Sequence, residues 1–461
     1  MLSPNRKESP ALARARRQGL SSVSMRLSSA RSAFLIAVGA CIAAAIAALG
    51  ACAGGRDEMA SIWTDEPGIA LAAELFNARG GPEAVRLEWK REPAGALLEA
   101  EASGPALVVG RSLGGWGLRE RLSALDSILR RRPDRDAFYP ELLDGGRIGG
   151  RLVLLPISFN LPAIVFLRDS PAPGDGFTLS LSDIAAPSVA FRNSQGSVAR
   201  MGFSPRWDER FFVEALDSLG ARFREAAGTS RGRPELAWDP VGLRSALGEL
   251  GAWSTLANGS AALEDDYRFK YLYAPPYRWL KEGRALYAYM DSSELFLASE
   301  EIRTGLDFRW YSSGGTVPVS EGAVYAGLVR GAKGRPAAEA FLRWLLTPEA
   351  QRAVLERSRA TGVSSYSFGI AGGFSSIRSV NEGVFPTYYP ALVGHAPPAD
   401  KLAAPERLPP DWPSLRAEAV APWALDASAL AAARADGSSQ EDPSSELSER
   451  ISDYSKRGAK R

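Results

Sequence analysis

The chain predicts an α/β fold, on three observations. Segments of strand character alternate with segments of helical period along most of its length. The helical segments carry start and stop residues, Pro at first turns and Gly after last ones. Composition agrees: 461 residues, 45% hydrophobic and 23% charged, is globular and excludes wholesale disorder.

Taken in order, Ser61–Thr64 (SIWT) reads as a strand. Asp65, Glu66 and Pro67 then supply cap and first-turn residues for a helix with apolar positions at Ile69, Ala72, Ala73 and Phe76, stopped by Gly80 and Gly81. Val85–Glu92 alternates like a strand, and Ala106–Gly110 (ALVVG) has the unbroken apolar run of a buried one. Leu118, Leu122, Leu125 and Leu129 mark the next helix, so a mainly parallel sheet with helices on its faces is expected. Arg151–Asp169 holds two apolar runs broken by Pro156 and Pro162, too Pro-rich for one central strand; it reads as a strand leaving one sheet and entering another.

Further on, Asp208–Arg224 and Pro240–Leu256 are helical and Ala285–Met290 (ALYAYM) is a strand. Pro336–Arg357 is an amphipathic helix or helix pair with a buried stripe at Phe341, Leu342, Leu345 and Leu346. Gly- and Ser-rich chain runs from Thr361 to Ser376, followed by Pro-punctuated chain to Pro413 and a last short helix to about Leu425. Residues 426–461 read as a disordered tail.

Charge and residue counts narrow the function. The first 51 residues carry seven bases and one acid, which leaves 48 bases against 52 acids beyond them. A nucleic-acid binder keeps a basic excess in its folded part, so no nucleic-acid partner is expected. With only Cys41, Cys52 and His395, zinc fingers, iron–sulfur sites and Cys/His catalysis fall away, and neither metal nor cofactor is expected.

The amino terminus sets the compartment. Ala33–Ala51 is an uncharged run behind Arg26 and Arg31, ending in Leu49, Gly50, Ala51 and Cys52. This resembles a bacterial lipoprotein signal, with Gly50 where Ala or Ser is commoner. The resemblance implies a signal peptide over residues 1–51, lipidation of the Cys52 thiol and a tether over residues 52–60. Met25 alone begins a signal of normal proportions, so either Met1 or Met25 serves as the start.

Several segments in order resemble family 1 extracellular solute-binding proteins of ABC importers, many of them sugar-binding. Ile62–Thr64 and the helix ending Glu74, Leu75, Phe76, Asn77 are similar to that family's opening. Gly146–Asp169 matches its crossover at Pro156, Ser158 and Asn160, Lys281–Ser293 (KEGRALYAYMDSS) its glycine-led segment, and Phe341–Gln351 (FLRWLLTPEAQ) its most specific helix; Pro390–Trp423 is similar to its closing segment. The resemblance implies two α/β lobes of the periplasmic-binding-protein fold, with hinge crossings and a central cleft. Lobe 1 would take residues 57–161 and 288–385, and lobe 2 residues 162–287 and 386–425. It implies a small solute as ligand, such as a sugar or oligosaccharide, membrane permease subunits as partners, attachment to the membrane through Cys52, and a position facing the periplasm or exterior.

Ligands of open α/β sheets sit beyond the carboxyl ends of strands. The loops there, with the aromatic turns nearby, offer Trp63, Asp65, Trp116, Ser158, Phe159, Asn160, Phe203, Trp207, Asp291, Ser292, Ser293, Trp310 and Tyr311 as ligand-binding candidates. Acids, amides and hydroxyls suit sugar hydroxyls, and flat rings suit pyranose faces. Each has a plainer role: Asp65 as a helix cap, Trp63 as core, Ser158 and Asn160 as partners for hinge backbone groups. The function expected is solute capture without chemistry. A sensor or structural lipoprotein on the same fold is the first alternative, and a surface glycosidase with paired carboxylates the second. The acidic run Glu264, Asp265, Asp266 reads as solvated surface.

Overall fold

The computed structural model describes residues 59–100, 104–129, 135–170, 176–192, 198–226, 235–433 and 443–458. The signal segment and Cys52 lie outside them. The described chain is mixed α/β. No helix in it is long and apolar enough to cross a membrane.

The opening follows the expected order: β1 (Ala60–Thr64), α1 (Pro67–Ala78), β2 (Val85–Trp89), α2 (Pro93–Glu99) and β3 (Leu107–Gly110). The leucines from Leu118 to Leu129 are buried, but the expected helix shrinks to a 3-10 turn at Trp116–Arg121. Their backbone explains it. The N–H of Ser123 donates to Leu328 O and that of Leu125 to Leu152 O, both at 2.8 Å, so these groups bond sideways and not to the preceding turn.

The Pro-punctuated segment does pass between sheets. β4 (Leu155–Phe159) ends two residues before β5 (Pro162–Leu167), and the two belong to different sheets. Pro162 opens its strand, whereas Pro156 sits inside β4 where the ladder slips register, a place that tolerates a missing N–H. Beyond β5 lie β6 (Thr178–Leu179), α3 (Leu181–Phe191), α4 (Glu209–Leu216), α5 (Pro240–Asn258), α6 (Ala261–Lys270), β7 (Ala288–Asp291) and β8 (Leu306–Tyr311). The chain then runs through β9 (Val324–Leu328), α7 (Arg335–Leu345), α8 (Pro348–Thr361), β10 (Phe374–Ser375), α9 (Ala421–Ala433) and α10 (Pro443–Gly458).

The larger sheet has the order β10-β4-β9-β3-β1-β2 and the smaller β7-β5-β8-β6. Only β1–β2, β1–β3 and β6–β8 pair in parallel within them, so both sheets are mixed and the expected mainly parallel sheet is corrected. The antiparallel pairs join strands distant in sequence: β9 pairs with both β3 and β4, and β7 and β8 both pair with β5.

Two hydrophobic cores flank the smaller sheet. Ala163, Val165, Phe308 and Trp310 join the core of the larger sheet, while Ile164, Phe166, Tyr289 and Tyr311 face a second core with α4, α5 and α9. The β7 strand pairs with β5 throughout, and the chain returns to the larger sheet through 312–323. The tail expected at 426–461 is corrected over its described residues, 426–433 and 443–458. Helix α9 continues to Ala433, and α10 buries Leu447 against the second core, with Trp238 Nε1 donating to Ser444 Oγ at 3.2 Å.

Candidate functional site

The site forms where the loop after β3, the helix α4 and the returning segment 318–323 meet, enclosing a cleft of about 300 Å³. That lies at the lower end of small-molecule sites, ~300–1,000 Å³.

The β3 side begins at Arg111, whose guanidinium is half exposed and bridges Glu66 at 3.2 Å. Glu66 is nearly sealed, and burial pushes its carboxyl up to about 7, with Arg111 opposing the rise and Asp65 adding to it. Ser112 takes a left-handed φ of 57°, uncommon for a residue with a Cβ. Gly372 fits between Arg111 and Glu66 at φ 72°; a Cβ there would stand 3.0 Å from Arg111 Nη2 and 3.2 Å from Glu66 Oε2.

The opposite wall is α4. Asp208 caps it by accepting from Phe211 N at 2.8 Å, and Phe211, Phe212, Ala215 and Leu216 face the second core. Arg210 and Glu214, four apart, therefore share the cleft face. Arg210 donates to Tyr289 Oη at 2.9 Å and lies 3.6 Å from Asp291 and 3.4 Å from Glu294. Both Glu214 carboxyl oxygens expose less than 1 Å² and have no hydrogen-bond partner beyond the neighbouring Ser320 hydroxyl, although the residue as a whole is only half-buried. Its carboxyl is raised well above the ordinary range, first by burial, against Arg210, then by Asp291 and Glu321, with the Ser320 hydroxyl opposing the rise. Asp217, which accepts from Phe223 N, is pushed up to about 7, chiefly by burial.

The connecting segment is braced at both ends. Ser320 N donates to Asn160 O at 2.9 Å. Glu321 accepts from Trp412 Nε1 at 2.5 Å and pairs with Arg416 at 3.0 Å. Tyr325, also on the cleft, donates to Leu142 O at 3.1 Å.

None of the residues chosen from sequence lines this cleft. Trp63 is core, its indole N–H held by Glu88 at 2.9 Å. Asp65 does not cap α1; Glu66 holds that position without a side-chain bond, and Asp65 Oδ1 is buried without a partner, its carboxyl raised mainly by burial. Trp116 opens the 3-10 turn, and its side chain lies outside the described residues. Phe159, Phe203, Trp310 and Tyr311 are core residues. Trp207 stacks on Tyr267, with ring centroids 5.1 Å apart.

The remaining candidates form the joint between the sheets. Ser158 Oγ donates to Ala371 O at 2.6 Å and Asn160 Nδ2 to Gly372 O at 2.8 Å. Ser292 Oγ donates to Asn160 Oδ1 at 2.8 Å, and Ser293 N donates to Asp291 at 2.9 Å. Asp291 nonetheless reaches the site through Arg210.

Sequence reasoning missed Arg111, Arg210, Glu214, Asp217, Glu321 and Tyr325. One signal was available: in ERFFVEAL the charges of Arg210 and Glu214, four apart, fall on one helical face, while Phe211, Phe212, Ala215 and Leu216 face the second core. Glu264 also departs from expectation. It is completely buried, accepting from Ser254 Oγ at 2.7 Å and Asn258 Nδ2 at 2.5 Å beside Arg206, while Asp265 pairs with Arg206 at 2.8 Å.

Among the described residues no group of three or more His, Cys, Asp or Glu side chains could hold a metal ion. A scan of protein families finds no model that matches the chain, and no curated protein matches it.

Proposed function

We propose that the chain is a lipid-anchored solute-binding protein of an ABC importer, similar to the family 1 extracellular type, which captures a small solute and passes it to membrane permease subunits without chemistry. The observation that carries this reading is the cleft, walled by the loop after β3 on one side and α4 on the other, where charged groups converge above apolar walls. Its halves would be two lobes closing on the solute, with bending at Asn160–Leu161 and at 312–323. Anchoring through Cys52 and exposure to the periplasm or exterior belong to the same reading.

A thermal-shift screen of sugars, polyols, amino acids and peptides tests it, since a solute at ~100 times its dissociation constant adds ~2.7 kcal/mol. No stabilising solute would sink the reading. A sensor on the same fold would bind a solute while its deletion leaves uptake of that solute intact.

A second reading draws on Asp217 and Glu214, carboxyls raised toward the protonated form inside a cleft, as a glycoside hydrolase's general acid requires. Release of aryl alcohol from aryl glycosides, lost in Asp217→Asn, would single it out.

A further inference from the structure

We propose that the solute taken by this cleft carries a protonated amine, and that Glu214 holds it. The inference rests on the solute-binding reading and specifies its ligand class.

Glu214 is a carboxyl with both oxygens shut away from solvent in the wall of the cleft and no hydrogen-bond partner beyond the neighbouring Ser320 hydroxyl. A buried acceptor left unsatisfied is costly, and native structures rarely keep one without reason. Ser320 Oγ, also on the cleft wall, neighbours Glu214 and is buried with no other partner. One hydroxyl proton is thus all that these two groups share in one small space.

Charge decides what should fill it. Arg210 is the base next to Glu214, and it is already engaged by Asp291, Glu294 and the Tyr289 hydroxyl. Glu321 has its own partner in Arg416. One guanidinium thus faces Glu214, Asp291 and Glu294; Arg111 and Arg407 stand elsewhere on the cleft, and Glu214, which burial holds toward its neutral form, ionises once a further cation joins it. A neutral hydroxyl would donate one hydrogen bond and leave the imbalance. An ammonium brings a charge and three donors, enough for Glu214 with one left for Ser320. A metal ion fits poorly, since no metal-holding cluster occurs among the described residues. The volume of about 300 Å³ limits the ligand to a small molecule.

The test is calorimetric titration of the full-length protein in detergent, at pH 7.5, with matched pairs: glucosamine and glucose, galactosamine and galactose, putrescine and 1,4-butanediol. In at least one pair the amine should bind ten-fold or more tighter than its neutral twin. Glu214→Gln should remove that preference, and Ser320→Ala should weaken the same amine about three-fold, giving a second reading should the first variant fold poorly. Neutral twins binding as tightly as the amines, or a preference unchanged in Glu214→Gln, would overturn the amine assignment while leaving solute capture standing. If no member of the panel binds, the amine assignment falls; if the broader solute screen is also blank, the capture reading falls with it.

Discussion

The Ser292 hydroxyl donates to Asn160 Oδ1 at 2.8 Å, while Leu161 N donates to Ser292 Oγ at 3.1 Å. Ser292 N in turn donates to Leu161 O at 2.9 Å. The turn between β4 and β5 is thus locked to the start of the helix that follows β7. Asn160 extends the lock through Gly372 O, beside the Arg111–Glu66 pair at the cleft. Asn160→Ala should cost ~1–3 kcal/mol in urea denaturation, because it leaves partners of buried bonds unmet. A loss near zero would show that the lock carries no load.

The aromatics of β8 should behave as core. Trp310→Ala is expected to cost ~3–5 kcal/mol. A variant with parental melting temperature and weakened solute binding would return Trp310 to the ligand site.

How far the sequence could be read turns on exposure. Pro156 and Pro162 announced the change of sheet because proline cannot donate to a ladder. Trp310 and Tyr311 misled because β8 is buried on both faces, so neither neighbour points to solvent or cleft. A strand with two covered faces gives no periodic hint of where a ring points. The cleft carboxylates stayed hidden for a related reason. Asp217 and Glu321 look like ordinary surface acids until the fold buries or pairs them.

Glu264 makes stability depend on pH with a definite sign. Burial lifts its carboxyl from 4.5 to about 7, against the hydrogen bonds from Asn258 and Ser254 and the charge of Arg206. The folded state therefore binds a proton that the unfolded state has released between those values. This contribution is complete below about 4.5 and is lost as pH rises through about 7. Glu66 and Asp217 act in the same direction. Glu264→Gln should flatten the decline in melting temperature across this window; an unchanged slope would contradict the assignment.

Helix α10 should contribute to stability. Leu447 is completely buried in the second core, with Ile451 and Tyr454 packed against it. Leu447→Ala is expected to cost ~2–5 kcal/mol. An unfolding midpoint unmoved by this change would restore the view of residues 426–461 as a solvated tail.

Solute capture in the cleft is tested most directly by filling it. Gly114 lies on the cleft wall, and a Cβ placed there meets Arg407 Cγ, across the same space, at 3.4 Å. An indole at this position would extend into the volume the solute needs. Calorimetric titration of Gly114→Trp with the best solute from the screen, beside the parent protein and at matched melting temperature, should show affinity reduced 100-fold or more. Affinity equal to the parent's in a folded Gly114→Trp protein would place the solute elsewhere and contradict the account.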